Sequence, residues 1–389
     1  MPFQTKQKAG TAAAAPAAAR RWGDPGVSER FKVLESTVPV IPNAPQIPLS
    51  QAGILSELQH HIFATNLTVT HGTGTNAKDA YGPYPLIQQY RFVAGANTPL
   101  VSISGRMLGM LQMIEYPGRS WEADADPVSV ENPLTNTSDF FNHPATTGTF
   151  RCWARVPLAL PWVGMPGGAV GHIILQNKRI TNNIQAAFNV SGAAAPYGMY
   201  SAVGAGVNNG AYDVTGNDTV TGTPSMDTWK ILNTVPDSAA EMPVFGFTRY
   251  LQEVIQPYSG TSFTYNFEPG GVLLRALFHF FDATAAGGMA TSNLSTITYQ
   301  YGTNKQLDVF TPYRNILDQL ELYGRTLPQG TYAFDYYTQK RNLTDAKSTE
   351  NTANVQVVAN FAAGYSVPAN SQVVILLDKV FVAQNYLAA

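Results

Sequence analysis

The sequence predicts an all-β chain built from two successive units, and three observations carry that reading. Apolar and polar residues alternate at a spacing of two in many short runs, the period of a half-buried strand. With 33 Gly and 26 Pro spread along 389 residues, turns recur and long helices are not expected. Each half also follows the same broad order of strands, a Gly/Pro-marked connector with helical content, another strand, a polar loop and a final long strand. No strict sequence period accompanies this order.

Taken in order, residues 1–35 read as an arm, flexible or partly helical through the Ala run of residues 12–19. Its first 21 residues carry Lys6, Lys8, Arg20 and Arg21 and no acidic group. Residues 38–48, VPVIPNAPQIP, hold too many prolines for a helix or a central strand and read as an extended connector. Strands are expected at 53–70, 87–93 and 100–116, a polar excursion at 117–144, and an alternating strand at 149–162. The Gly-rich GMPGGAVGHIILQNK (164–178) precedes a strand at 184–190, and 192–223, poor in large apolar residues, reads as an exposed loop or tower. Residues 243–255 are expected to close the first unit.

The second unit is expected to bring strands at 262–267, 271–282 and 295–301 and, at the end, 355–362 and 372–381. Between them lies the one clear helix. Thr311 is a fitting N-cap and Pro312 suits the first helical position, where a missing N–H costs nothing. Tyr313, Ile316, Leu317, Leu320 and Tyr323 then recur at helical spacing, and Gly324 suits a left-handed cap. Pro328-Gln329-Gly330 reads as a turn into a strand in which Tyr332, Phe334 and Tyr336 alternate with Ala333 and Asp335. The expected boundaries are 1–35, 36–256 and 257–389. Two units of eight or so short strands suit jelly-roll sandwiches, while a pair of immunoglobulin-like sandwiches stays open on composition alone.

Composition narrows the function. Only 13% of residues are charged against 44% apolar, and the formal charge is −2, so the molecule as a whole has no electrostatic footprint for nucleic acid. The single Cys152 excludes an intrachain disulfide and a multi-cysteine zinc site, and fits folding in a reducing cytoplasm. The apolar runs 272–281 and 373–382 are short and charge-bearing, hence buried strands rather than membrane spans. HGTGTNAK (71–78) lacks the ending of a phosphate loop. Glu122, Asp124 and Asp126 alternate without the glycine and terminal glutamate of a calcium loop. His60-His61 reads as structural, and Glu115, Glu253, Glu268 and Asp282 show no pairing of the kind a glycosidase needs. No catalytic residue, metal site or cofactor is expected.

Particular stretches resemble a known family. GGVLLRALFHFFDA (270–283), PYRNILDQLELYG (312–324) and LPQGTYAFDYY (327–337), with CWARVPLAL (152–160) and FTRYLQEVIQP (247–257), are similar to the major capsid proteins of tectiviruses, icosahedral phages with an internal membrane. The resemblance covers about two thirds of the chain, in patches. It implies a double jelly roll of two tandem eight-stranded barrels with short connector helices, and homotrimers of pseudo-hexagonal outline tiling a shell beside other capsid and vertex proteins. It implies no enzymatic activity, and no sequence-specific contact with nucleic acid. The arm, through Lys6, Lys8, Arg20 and Arg21, would face the inner side and the lipid membrane. It also implies that the helix at 312–323 packs Leu317 and Leu320 on its own barrel, with GMPGGAVGHIILQNK holding the corresponding place in the first unit. A carbohydrate-binding or carbohydrate-active sandwich, engaging sugar through Trp121, Trp153 or Trp162, is the rival from another class. A minor vertex or spike component is a third reading.

Overall fold

The computed structural model describes residues 30–39, 47–70, 75–78, 84, 87–94, 98–115, 147–160, 170–175, 182–188, 200–203, 219–235, 247–282, 288–301, 305–338, 346–349 and 355–382. The principal strands of the first half are β1 (Arg30–Pro39), β2 (Ile47–Pro48), β3 (Ile54–Thr70), β4 (Ile87–Ala94), β5 (Thr98–Ile103), β6 (Thr147–Pro157), β7 (Asn182–Phe188) and β8 (Ser225–Asn233). Helix α1 (Gly105–Glu115) lies between β5 and β6. The second half has β9 (Phe247–Pro257), β10 (Ser262–Asn266), β11 (Val272–Phe281), β12 (Leu294–Tyr301), β13 (Lys305–Phe310), β14 (Thr331–Asp335), β15 (Val355–Phe361) and β16 (Gln372–Val382). Helix α2 (Pro312–Tyr323) lies between β13 and β14.

Pairing gives the first half two antiparallel sheets, β1-β8-β3-β6 and β2-β7-β4-β5. The second half has β9-β16-β11-β14 and β10-β15-β12-β13. Adding eight to every label turns one half into the other. Both halves are therefore jelly rolls of one strand order, and in each the helix follows the fifth strand. The halves meet where β5 runs parallel to β9, with Val101 opposite Leu251 and Ser102 opposite Gln252, so one sheet continues from one jelly roll into the next.

Burial explains the sequence of the second jelly roll. Phe278, Phe280, Tyr332, Phe334, Val373, Ile375 and Leu377 fill its own core, with Phe278 and Phe334 edge to face at 6.0 Å. Leu251, Leu277, Phe281, Ala333, Val374 and Leu376, on the other face of the same sheet, join the core of the first half together with Met107, Leu108, Met110 and Leu111 of α1. A sheet buried on both faces needs apolar residues at every position, which is why VLLRALFHFF and VVILLDKVFV lose the alternation of an ordinary antiparallel strand.

Several expectations need correction. Residues 243–255 do not close the first unit: β9 pairs with β16 along its whole length and is the first strand of the second jelly roll. The boundary of the arm at 35 cuts β1, an edge strand kinked by a bulge between Leu34 and Ser36. Residues 100–116 split into β5 and α1, because Met107, Leu108, Met110, Leu111 and Met113 are strong helix formers, buried on every side. The first-half counterpart of α2 is thus α1, and within GMPGGAVGHIILQNK the described residues contribute only a short strand at Ile173–Ile174. The strands β8 and β13 escaped the sequence reading, since each carries charge in the middle of a short run. Of the loop at 192–223, residues 200–203 pair with 75–78 and residues 219–221 with β3.

One buried histidine ties the two sheets of the first jelly roll. His60 Nε2 lies 2.8 Å from the Tyr90 hydroxyl and Nδ1 3.2 Å from Thr228 Oγ1. Burial lowers its pKa to about 3. A histidine depressed in the folded state contributes stability that is complete above its unfolded value, about 6.5, and is lost as pH falls toward the folded one. Urea unfolding at pH 7 and pH 5 should therefore show a loss of about 2 kcal/mol from this residue. His60→Gln should remove that part of the difference, and an unchanged difference would exclude the assignment.

Candidate assembly site

The two connector helices perform the same local task. In β6 and β14, outermost among the described strands of their sheets, one edge has no described strand partner and must still satisfy its backbone groups. From α2, Asn315 Nδ2 donates to Ala333 O at 2.8 Å while its Oδ1 accepts from Ala333 N at 2.9 Å, the pair of bonds a neighbouring strand would make. Gln319 Nε2 donates to Thr331 O at 2.9 Å and its Oε1 accepts from Leu327 N at 3.0 Å. From α1, Gln112 Oε1 accepts from Arg155 N at 2.9 Å and its Nε2 donates to Arg155 O. Side-chain amides thus close both edges.

This reverses the expected orientation of α2. Its inward residues are Asn315, Gln319 and Tyr323, one helical turn apart and buried, while Leu317 and Leu320 are 44% and 45% exposed and Tyr313 is 69% exposed. The amides must face in because the β14 edge offers polar backbone, so the apolar stripe faces out. The caps are as expected: Thr311 Oγ1 accepts from Arg314 N, and Gly324 has φ 69°. The start of α1 has a different demand, since a Cβ on Gly105 would stand 1.9 Å from the Tyr84 carbonyl oxygen.

Where the halves meet, a row of alternating charge crosses four strands. The side chains of Arg249 on β9, Asp378 on β16, Arg275 on β11 and Asp335 on β14 are all buried, and Glu115 reaches the row from the end of α1. Arg249 binds Asp378 through two bonds, Nε to Oδ1 at 2.8 Å and Nη2 to Oδ2 at 2.6 Å. Glu115 Oε1 accepts from Arg249 Nη2 at 3.0 Å and from Arg275 Nη2 at 2.7 Å. Arg275 Nε lies 3.2 Å from Asp378 and 3.7 Å from Asp335. Arg249 Nη1 also donates to Pro157 O at the end of β6, and the Tyr323 hydroxyl donates to Asp335 at 2.9 Å.

A carboxylate at a helix C-terminus is normally unfavourable. Burial pushes the Glu115 carboxyl up, but Arg275 and Arg249 outweigh it and hold the pKa below its ordinary value. The junction therefore fixes α1 and β6 of the first jelly roll to the outer face of the second. In the sequence the residues are visible only as charges inside apolar runs, Arg275 in one and Asp378 beside Lys379 in the other, and as an unpaired Glu115.

The other candidate residues do not converge. Lys6, Lys8, Arg20, Arg21, Glu122, Asp124, Asp126, Trp121 and Trp162 lie outside the described residues. Glu253 accepts from Ser104 N and Asp282 from the Tyr365 hydroxyl. Among the described residues no group of three His, Cys, Asp or Glu side chains is placed to hold a metal ion. Trp153 has Lys32 Nζ 4.8 Å from its ring centre, and the same ammonium stands 4.6 Å from Trp229. That cation occupies the surface a sugar would stack on.

No protein-family model matches the chain, and no curated protein matches its sequence. Solved structures do. The major capsid protein of Sulfolobus turreted icosahedral virus superposes with a TM-score of 0.61 at 13% identity, covering 93% of this chain and 99% of that one. The major capsid protein P2 of bacteriophage PM2 gives 0.51 at 11% identity, with 92% and 99% covered. The PBCV-1 virus capsid gives 0.55 at 10% identity, with 91% and 93% covered. With the repeated strand order and the paired connector helices, these likenesses place the chain in the double jelly-roll fold of icosahedral-virus major capsid proteins.

Proposed function

We propose that the chain is a structural shell subunit, the major capsid protein of an icosahedral virus with an internal membrane. It acts as a homotrimer of pseudo-hexagonal outline that tiles the shell beside other capsid and vertex proteins. The observation that carries this is the pairing of two jelly rolls of identical strand order, joined to each other by the buried charge row. Such a chain presents two copies of one building unit, so three chains offer six, the number a hexagonal tile requires. The fold likeness to capsid proteins supports the same reading.

Its role is burial of surface, with no catalytic step and no cofactor. The arm, through Lys6, Lys8, Arg20 and Arg21, would meet anionic lipid on the inner side, each cation contributing about 1 kcal/mol near a charged surface. The protein would be made in the host cytoplasm and reside in the virion. Light scattering of the purified full chain at micromolar concentration should give the mass of three chains, and a stable monomer would overturn the proposal.

A further inference from the structure

Strand β1 is fastened by two unlike sets of contacts, and the bulge between Leu34 and Ser36 divides them. Among the described strands β1 pairs with β8 alone, so its attachment rests on that one ladder and on what its side chains reach. Ahead of the bulge they reach little. Phe31, Val33 and Leu34 are exposed. Arg30 Nη2 donates to Glu57 Oε2 at 3.1 Å, but the Arg30 side chain is 60% exposed, and an ion pair in that setting contributes little. Glu57 does not depend on it, since Arg155 donates to both carboxylate oxygens and Gln59 Nε2 donates to Oε1 at 2.8 Å. Lys32, itself exposed, places its ammonium between the rings of Trp229 on β8 and Trp153 on β6. Withdrawing Arg30 and Lys32 therefore leaves no buried charge without a partner.

At the bulge the opposite holds. Glu35 falls outside the register with β8, and its carboxylate lies 2.5 Å from Lys230 Nζ, accepts from Ser50 Oγ at 3.0 Å and accepts from Ser50 N. The Lys230 side chain is 1% exposed, and besides Glu35 it donates to Ser50 O at 3.3 Å and to Ser50 Oγ. Pulling Glu35 away would strand a buried ammonium, one of the costliest changes a fold can suffer locally. Just beyond, Thr37 Oγ1 donates to Asp227 Oδ1 at 2.7 Å and ties the rest of the strand to β8.

We propose that residues 30–34 form a strap that lifts from β8 as a unit and hinges at Glu35, while residues 36–39 and the barrel stay closed. The Glu35, Lys230 and Ser50 group is the pin that sets where opening stops. Lifting withdraws Lys32 from the two indoles and changes the direction in which the chain ahead of residue 30 leaves the barrel. The barrel itself need not unfold. The inference concerns one chain and stands apart from the shell-subunit reading.

Site-resolved hydrogen exchange on the full chain tests this. In the wild type the protected amides within 30–34 should exchange about a hundredfold faster than those within 36–38, since local openings span the range from fraying to global unfolding. Lys32→Ala should speed the first group about fivefold, the worth of an exposed cation over aromatic rings, and leave the second unchanged. Lys230→Met, which keeps most of the side-chain volume, should speed the second group about a hundredfold while β3 and β6 keep their rates. One common rate across 30–38 in the wild type, equal acceleration of both groups by Lys32→Ala, or no acceleration of 36–38 by Lys230→Met would each overturn the inference. Should Lys230→Met fail to fold or loosen β3 and β6, Glu35→Gln leaves the β8 side chain in place and removes its counter-charge. It should accelerate 36–38 selectively, and unchanged exchange there would overturn the hinge.

Discussion

Arg275→Met is expected to destabilise the protein by about 3–5 kcal/mol at pH 7, the cost of removing one partner from a buried ionic group. Arg275 is 1% exposed and serves Glu115, Asp378 and Asp335 together. Without it Glu115 and Asp378 would share Arg249 alone, and Asp335 would lose its cationic partner. Methionine fills much of the volume, so the loss should come from charge rather than from a cavity. The pH dependence separates the two causes. Because Glu115 lies below its ordinary pKa in the wild type, its contribution is complete above the unfolded carboxylate value and is lost as pH falls below it. In the variant that contribution is smaller, so the gap between wild type and variant in urea unfolding should be widest near pH 7 and narrow below about pH 4. A gap independent of pH would show that Arg275 acts through packing.

The second large effect runs against sequence intuition. Asn315→Leu with Gln319→Leu raises helix propensity and extends the apolar character of α2, and by those criteria should stabilise it. The structure requires the opposite. The two amides make four hydrogen bonds to the backbone of Leu327, Thr331 and Ala333, all buried. A buried backbone group left without a partner costs about 1–3 kcal/mol, so the double variant should lose about 4 kcal/mol or more. Hydrogen exchange should show the amide of Ala333 losing protection first. As a control, Leu317→Gln with Leu320→Gln, on the outward side of the same helix, should stay within about 0.5 kcal/mol in the monomer. If the amide pair proved as tolerant as the leucine pair, the edge-closing role would be wrong.

These two sites show where local pattern stops being informative. The existence of α2, its caps and the turn at Pro328-Gln329-Gly330 follow from neighbours in sequence, and the structure has them where Thr311, Pro312 and Gly324 require. Which side of α2 faces in does not follow, because the apolar stripe was the only visible guide and the deciding partner was an unpaired strand edge. The same limit hid α1: surrounded on all sides, it shows no polar face, and an apolar run of that kind reads as a buried strand. It also moved β9 into the wrong half, since pairing with β16, more than a hundred residues later, decides membership.

By itself the sequence determined an all-β chain of two units, the helix at 312–323, the absence of any recognisable catalytic motif and, through the resemblance of five stretches, the double jelly roll. The first three rest on composition, turn chemistry and periodicity, which act over a few residues, and the last on the resemblance alone. Only the tertiary structure decided the equivalence of the halves strand for strand, the row Arg249, Asp378, Arg275, Asp335 that joins them with Glu115, and the bare face of α2. Each of these depends on which distant strand lies alongside, and a charge or an apolar side chain acquires its meaning only from what it is placed against.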